Sequence, residues 1–108
     1  MKRIYVSIPI TGYEIEEVQE RALEVKRALS RTSVEVVTPF DVVSAEDTAG
    51  MADGEAYAYC MGRDIESILL SDAVYFCRGW EASKGCRTEM EVATIYNKEI
   101  IKEFQSKV

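Results

Sequence analysis

The sequence contains no histidine. That absence removes the commonest general base, the Ser–His and Cys–His nucleophile pairs, and the imidazole ligands of a typical zinc set. Cysteine is scarce as well. Cys60, Cys77 and Cys86 are an odd number with no CxxC pair, which argues against a disulfide framework and predicts reduced thiols in cytosol. No apolar run approaches the roughly 18 residues of a membrane span, and no opening segment has the charged, apolar and small-residue order of a signal peptide. A soluble, cytoplasmic protein is expected. Neither a Walker loop nor a GxGxxG fingerprint is present, and no segment repeats. Catalysis by such a chain rests on carboxylates, hydroxyls or a thiol, with no metal site expected.

Basic charge is also in short supply: 13 Lys and Arg stand against 19 Asp and Glu, a net charge of -6. A broad grip on extended nucleic acid or on an anionic membrane is therefore disfavoured, and a small molecule is the expected partner. The imbalance is local. Residues 1–40 hold six charges of each sign, residues 41–75 hold eight acidic and one basic, and residues 76–108 hold five acidic and six basic. Arg78, Lys84 and Arg87 thus lie outside the acidic stretch.

What is present suits one globular domain spanning 1–108, with 47% hydrophobic and 30% charged residues. Arg3–Ile10 (RIYVSIPI) reads as a buried strand, nearly continuous in apolar character and closed by Pro9 and Gly12. Thr11 followed by Glu14 is a capping-box pattern that opens a helix from about Tyr13 to Ser30. Val34–Thr38 is a second strand, ended by Pro39. Residues 44–55 are acidic, rich in Ala and Gly and aperiodic, which predicts a mobile loop. A helix over Ala56–Leu70, a strand over Asp72–Cys77, a helix over Gly85–Asn97 and a last strand over Glu99–Phe104 complete the chain. Alternating strands and helices predict a three-layer, Rossmann-like (flavodoxin-like) α/β domain with a parallel sheet of 4–5 strands in the order 2-1-3-4. In such sheets the ligand crevice lies beyond the strand carboxyl ends, here between residues 9–12 and 78–84.

Two acids stand where apolar residues belong. On a helical wheel Glu89 is flanked by Val92, Tyr96, Ala93 and Cys86, with Arg87, Glu91 and Thr94 opposite. Asp64 shares the apolar side of its helix with Tyr57, Met61, Ile65 and Ile68, while Arg63 and Glu66 point away. Acids are almost never fully buried unpaired. The first helical turn is expected to favour the Glu89 anion, whereas burial without that dipole is expected to keep Asp64 protonated. One anionic nucleophile beside one neutral proton donor is what glycosyl transfer requires. The competing reading is a structural ion pair with Arg3 or Arg87; it explains one inward acid better than two at one sheet edge.

The loop Arg78-Gly79-Trp80-Glu81-Ala82-Ser83-Lys84-Gly85-Cys86 combines small residues, a hydroxyl and basic side chains at a helix start, a pattern suited to a phosphate. Trp80 is a candidate either to stack on a base or to plug the sheet edge. Cys86 has no base beside it and reads as small core filler. Asp72 suits a turn, and Tyr57 and Tyr59 border the expected crevice. Tyr5 sits on the central strand with its hydroxyl in reach of that crevice.

Taken together, YVSIPITG (Tyr5–Gly12), Gly62-Arg63-Asp64-Ile65, DAVYF (Asp72–Phe76) and GWEASKGCRTEMEVA (Gly79–Ala93) resemble the nucleoside 2-deoxyribosyltransferase superfamily. That superfamily includes the 2'-deoxynucleoside 5'-monophosphate N-glycosidases, and the likeness, which runs from residue 4 to about residue 101, is to a short bacterial and phage branch of it. The resemblance implies that Glu89 attacks the anomeric carbon, that Asp64 protonates the departing base and that Tyr5 orients the nucleophile. It places Ser83 where the nucleoside transferases carry an acid and the monophosphate hydrolases a serine, so that Ser83 and Lys84 suit a 5'-phosphate. Ile10, Thr11 and Gly12 would line the sugar or phosphate from the other side; Gly85 and Trp80 are further candidate substrate contacts by their place in the loop. The superfamily also implies a homo-oligomer and no cofactor, since the sugar itself supplies the oxocarbenium chemistry. The expected reaction is cleavage or base exchange at the N-glycosidic bond of a nucleoside 5'-monophosphate, with deoxyribose the expected sugar. A nucleotide-sensing module without turnover and a glycohydrolase of NAD or other ADP-ribosyl compounds are the alternatives.

Overall fold

Strand β1 (Lys2–Ser7) carries the near-continuous apolar run of the sequence and lies in the middle of the sheet, where both faces are covered. The computed structural model describes residues 1–104. After β1 come helix α1 (Ile15–Leu29), strand β2 (Val34–Val37), the short helix α2 (Pro39–Val42) and a 3-10 turn at Ala45–Thr48. Helix α3 (Asp53–Leu69), strand β3 (Ala73–Phe76), a second 3-10 turn at Trp80–Ala82, helix α4 (Lys84–Ile95) and strand β4 (Glu99–Lys102) follow. The four strands are all parallel in the order β2-β1-β3-β4, as the alternation of elements predicts. Tyr5 stands beside Val37 on one side and Val74 on the other, and Val74 stands beside Ile100.

Strand alternation divides the core. Val6 and Ile8 pack with Val18, Ala22 and Val36 on the α1 side, while Tyr5 packs with Ile68, Val74, Phe76 and Ala93 on the side of α3 and α4. Ser7 lies two residues beyond Tyr5 and so faces α4 as well.

Element ends differ from the sequence expectations for local reasons. β1 stops at Ser7, short of Ile10, because Pro9 has no N–H to give a ladder. The Thr11–Glu14 box does not form. A turn in which Tyr13 N–H donates to the Ile10 carbonyl, with Gly12 at φ +90°, separates the two residues, and Glu14 itself occupies the N-cap without a side-chain bond. Capping by acids appears elsewhere: Asp41 accepts from Thr38 N–H at 2.9 Å, and Asp47 accepts from Ser44 N–H at 2.9 Å. The segment 44–55, read as wholly aperiodic, therefore holds one 3-10 turn, and α3 begins at Asp53 within it. Asp72 ties the strand ends together by accepting from Arg3 N–H at 2.8 Å.

Candidate active site

Three elements converge on one side of the sheet. β1 contributes Tyr5 and Ser7, α3 contributes Asp64, and α4 contributes Glu89. Glu89 is 4% exposed and Asp64 7%, so both acids are inward, as their wheel positions require. Among the described residues neither forms an ion pair; Arg3 binds Ser67 and pairs with Glu35 instead. The ion-pair reading of the two acids does not hold.

The hydrogen bonds separate the two acids. Ser7 Oγ donates to Glu89 Oε1 at 2.7 Å, and Tyr5 Oη donates to Glu89 Oε2 at 3.1 Å. Asp64 Oδ1 is buried with no hydrogen-bond partner. Burial pushes Glu89 up to about 7 against the pull of Ser7 and Tyr5, and the nearby Asp64 charge adds to the rise. Burial likewise pushes Asp64 up to about 7, offset only by the Tyr5 hydroxyl. Tyr5 is held well above its ordinary range by burial and by the two carboxyls, so it remains a neutral donor.

This corrects the expected cause. α4 begins at Lys84, which leaves Glu89 in the second turn, and the helix dipole does not lower it. Two hydroxyls donate to Glu89 and none to Asp64 Oδ1, while burial raises both carboxyls to about 7.

The sign of the linkage follows. A carboxyl raised in the folded state contributes stability at low pH that is lost as pH rises from the unfolded value through the folded one. For Glu89 that window runs from 4.5 to about 7. Glu89→Gln is accordingly expected to stabilise the protein at pH 8 by about 3 kcal/mol, the gain disappearing below about pH 4.5. Urea midpoints across this pH range measure it.

Around the acids lies a cavity of about 230 Å³ lined by Tyr5, Ile8, Ile10, Thr11, Pro39, Ala56, Tyr57, Cys60, Met61, Asp64, Ser83, Gly85, Cys86 and Glu89. A second cavity of about 500 Å³ adjoins it, sharing Thr11, Tyr57, Ser83 and Gly85 and adding Lys84. The residues singled out for a phosphate thus gather beside the carboxylates. Ser83 is the N-cap of α4, its Oγ accepting from Cys86 N–H at 3.2 Å.

Two expected contacts are not among these linings. Gly12 turns the chain next to Thr11 but borders neither cavity. Trp80 also lies outside both. It packs on Phe76 with ring centroids 5.5 Å apart, with the Lys102 ammonium 5.4 Å from its ring, because Gly79 at φ +90° turns it onto the sheet edge. Tyr57 borders both cavities and Tyr59 neither. Burial pushes the Cys86 thiol up, consistent with a filler and not with a thiolate nucleophile. Ser7, Ile8, Pro39, Ala56 and Cys60 were not singled out for the site by the sequence, and Met61 was placed only on the apolar side of the helix that carries Asp64. Strand alternation from Tyr5 was the signal for Ser7.

A parallel α/β domain with an unpaired carboxyl couple in a cavity beside a helix start is the class that fold and site define. The family model described as Domain of unknown function (DUF4406) matches residues 2–102, and the chain belongs to that family. Its fold is shared by a conserved protein from Enterococcus faecalis V583, with a TM-score of 0.70 and 20% identity over 99% of this chain; the chain spans 65% of that protein's length. It is also shared by a 2-deoxyribosyltransferase from the psychrotolerant bacterium Bacillus psychrosaccharolyticus, with a TM-score of 0.70 and 16% identity over 96% of this chain and 77% of that one. At these identities the likeness shows the fold alone. No curated protein matches the sequence. Among the described residues no helix is long and apolar enough to cross a membrane, and no three Cys, Asp or Glu side chains cluster as metal ligands.

Proposed function

We propose that the chain breaks the N-glycosidic bond of a nucleoside 5'-monophosphate, with deoxyribose the favoured sugar, and passes the glycosyl group to water or to a second base. One observation carries this reading: in a single cavity Glu89 receives two hydrogen bonds while Asp64 Oδ1 receives none, so one carboxyl is prepared as an anion and the other as an acid. The fold shared with a 2-deoxyribosyltransferase supports it.

In the first step Glu89 forms a bond to the anomeric carbon as the carbon–nitrogen bond breaks. The bonding pair leaves with the base, and the Asp64 proton follows it. In the second step Asp64, now an anion, takes a proton from water or an incoming base. That nucleophile bonds to the anomeric carbon and the Glu89 ester breaks, restoring both carboxyls. Only the chain's own groups take part. Ser83, Lys84, Gly85 and Thr11, at the junction with the larger cavity, are suited to a 5'-phosphate.

The test is release of free base by the purified protein from ribo- and deoxyribonucleoside monophosphates, the matching nucleosides, and NAD. The expected result is release from a 5'-monophosphate with kcat/KM at least about 100-fold above its nucleoside, because an empty phosphate site leaves its donors unpaired. Thermal stabilisation by nucleotides without any product would identify a sensing module instead. Nicotinamide release alone would move the chemistry to ADP-ribosyl compounds.

A further inference from the structure

We infer that Ser7 is a positioning residue for the nucleophile: from behind the carboxylate it holds Glu89 Oε1, keeping Glu89 the anion of the acid pair and turning Oε2 to the substrate. The inference rests on the proposed glycosyl chemistry for its kinetic meaning, but its physical content stands on geometry alone.

Glu89 has two donors, and they stand in different places. Tyr5 lines the cavity and reaches Oε2; Ser7 is wholly buried, is not among the cavity-lining residues, and reaches Oε1 with the shorter bond, 2.7 Å against 3.1 Å. The oxygen on the Tyr5 side is therefore the one a bound sugar meets. Ser7 touches no substrate and acts through Glu89.

A hydroxyl at this point is unexpected on packing grounds, since its neighbours in β1 are apolar and the strand is covered on both faces. An alanine would fill nearly the same space. A wholly buried hydroxyl needs a partner, and Glu89 supplies it. The polar side chains facing Glu89 are Tyr5 and Ser7 from β1, Asp64 from α3 and Cys86 from α4 itself. Of these only the two hydroxyls donate to it. Asp64 opposes its ionisation, and the Cys86 thiol, held up by burial, adds no positive charge. Without Ser7 the preference of the shared proton for Asp64 would rest on Tyr5 alone, and Tyr5 also favours the Asp64 anion.

The experiment compares wild type with Ser7→Ala and Ser7→Thr. In Ser7→Ala the acidic limb of the kcat/KM profile for base release is expected to move up by roughly one pH unit, because a carboxylate loses a charge-assisted donor. At pH 6 kcat is expected to fall about 10-fold, with KM for the nucleotide changed less than about 2-fold. Ser7→Thr, which keeps the hydroxyl, restores the limb. A direct carboxyl titration by ¹³C NMR, with Glu89→Gln assigning the signal, reads the same shift without turnover. An unmoved Glu89 titration in folded Ser7→Ala overturns the inference, whatever the activity. If no nucleotide yields free base while the titration does shift, the function reading falls and the Ser7–Glu89 coupling stands.

Discussion

Replacing Glu89 by glutamine is expected to lower base release from a nucleoside 5'-monophosphate by at least about 10³-fold. Glutamine has nearly the same shape, and its carbonyl oxygen still accepts a hydrogen bond from Ser7 or Tyr5, so the loss is chemical: an amide does not bond to an anomeric carbon. The same variant is expected to be more stable at pH 8, where a buried carboxylate without a cation beside it costs free energy. A protein that gains stability while losing turnover cannot owe that loss to unfolding. Acid-quenched mass spectrometry of wild type under turnover should find the sugar phosphate on the peptide carrying Glu89, and Glu89→Gln should carry none. Undiminished release by Glu89→Gln would sink the mechanism.

The second large effect belongs to Asp64. Asparagine at this position donates no acidic proton, and loss of a general acid costs on the order of 10² to 10⁴ in rate. That cost should depend on the leaving group. A nucleotide of 7-methylguanine, whose base already carries positive charge, departs without a proton, and its loss in Asp64→Asn should stay below about 10-fold. The pH profile separates the acids further. The proposed mechanism needs one proton on the pair, and both carboxyls are raised to about 7, so kcat/KM should peak near neutrality and fall on both sides. The basic limb should vanish in Asp64→Asn while the acidic limb, owed to Glu89, remains. An equal loss for every base, or a retained basic limb, would remove Asp64 from the acid role.

The sheet and the position of the acids were legible because they depend on periodicity. An apolar run bounded by Pro9 and Gly12 reads as a central strand, and a helical wheel puts Asp64 and Glu89 on covered faces. The hydrogen bonding of Glu89 was legible only in part. The resemblance pointed to Tyr5, but Ser7 reaches Glu89 from 82 residues away in sequence, and no local pattern announces a bond of that span. A serine in a strand also reads as filler until its partner is placed opposite. Trp80 shows the converse. A tryptophan in a small-residue loop looks like a stacking platform, yet the positive φ of Gly79 commits it to Phe76. The Thr11–Glu14 pattern failed for a related reason, since capping needs the backbone between the two residues to be helical and Gly12 takes it elsewhere.

The partition of the core across the sheet has a practical meaning. No residue of α1 lines either cavity, and the side chains that meet α1 from β1 leave on the face opposite Tyr5 and Ser7. The α1 layer is a foundation under the candidate site, meeting its cavity only through Ile8 and Ile10. On the proposed function, mutational drift along α1 itself trades in folding free energy alone, whereas the layer of α3 and α4 would have to satisfy folding and chemistry with the same side chains. Sequence freedom in this domain is therefore expected to be unequal between the two sides of one sheet, and an engineer seeking a sturdier protein has a whole helix to work on before touching the acid pair.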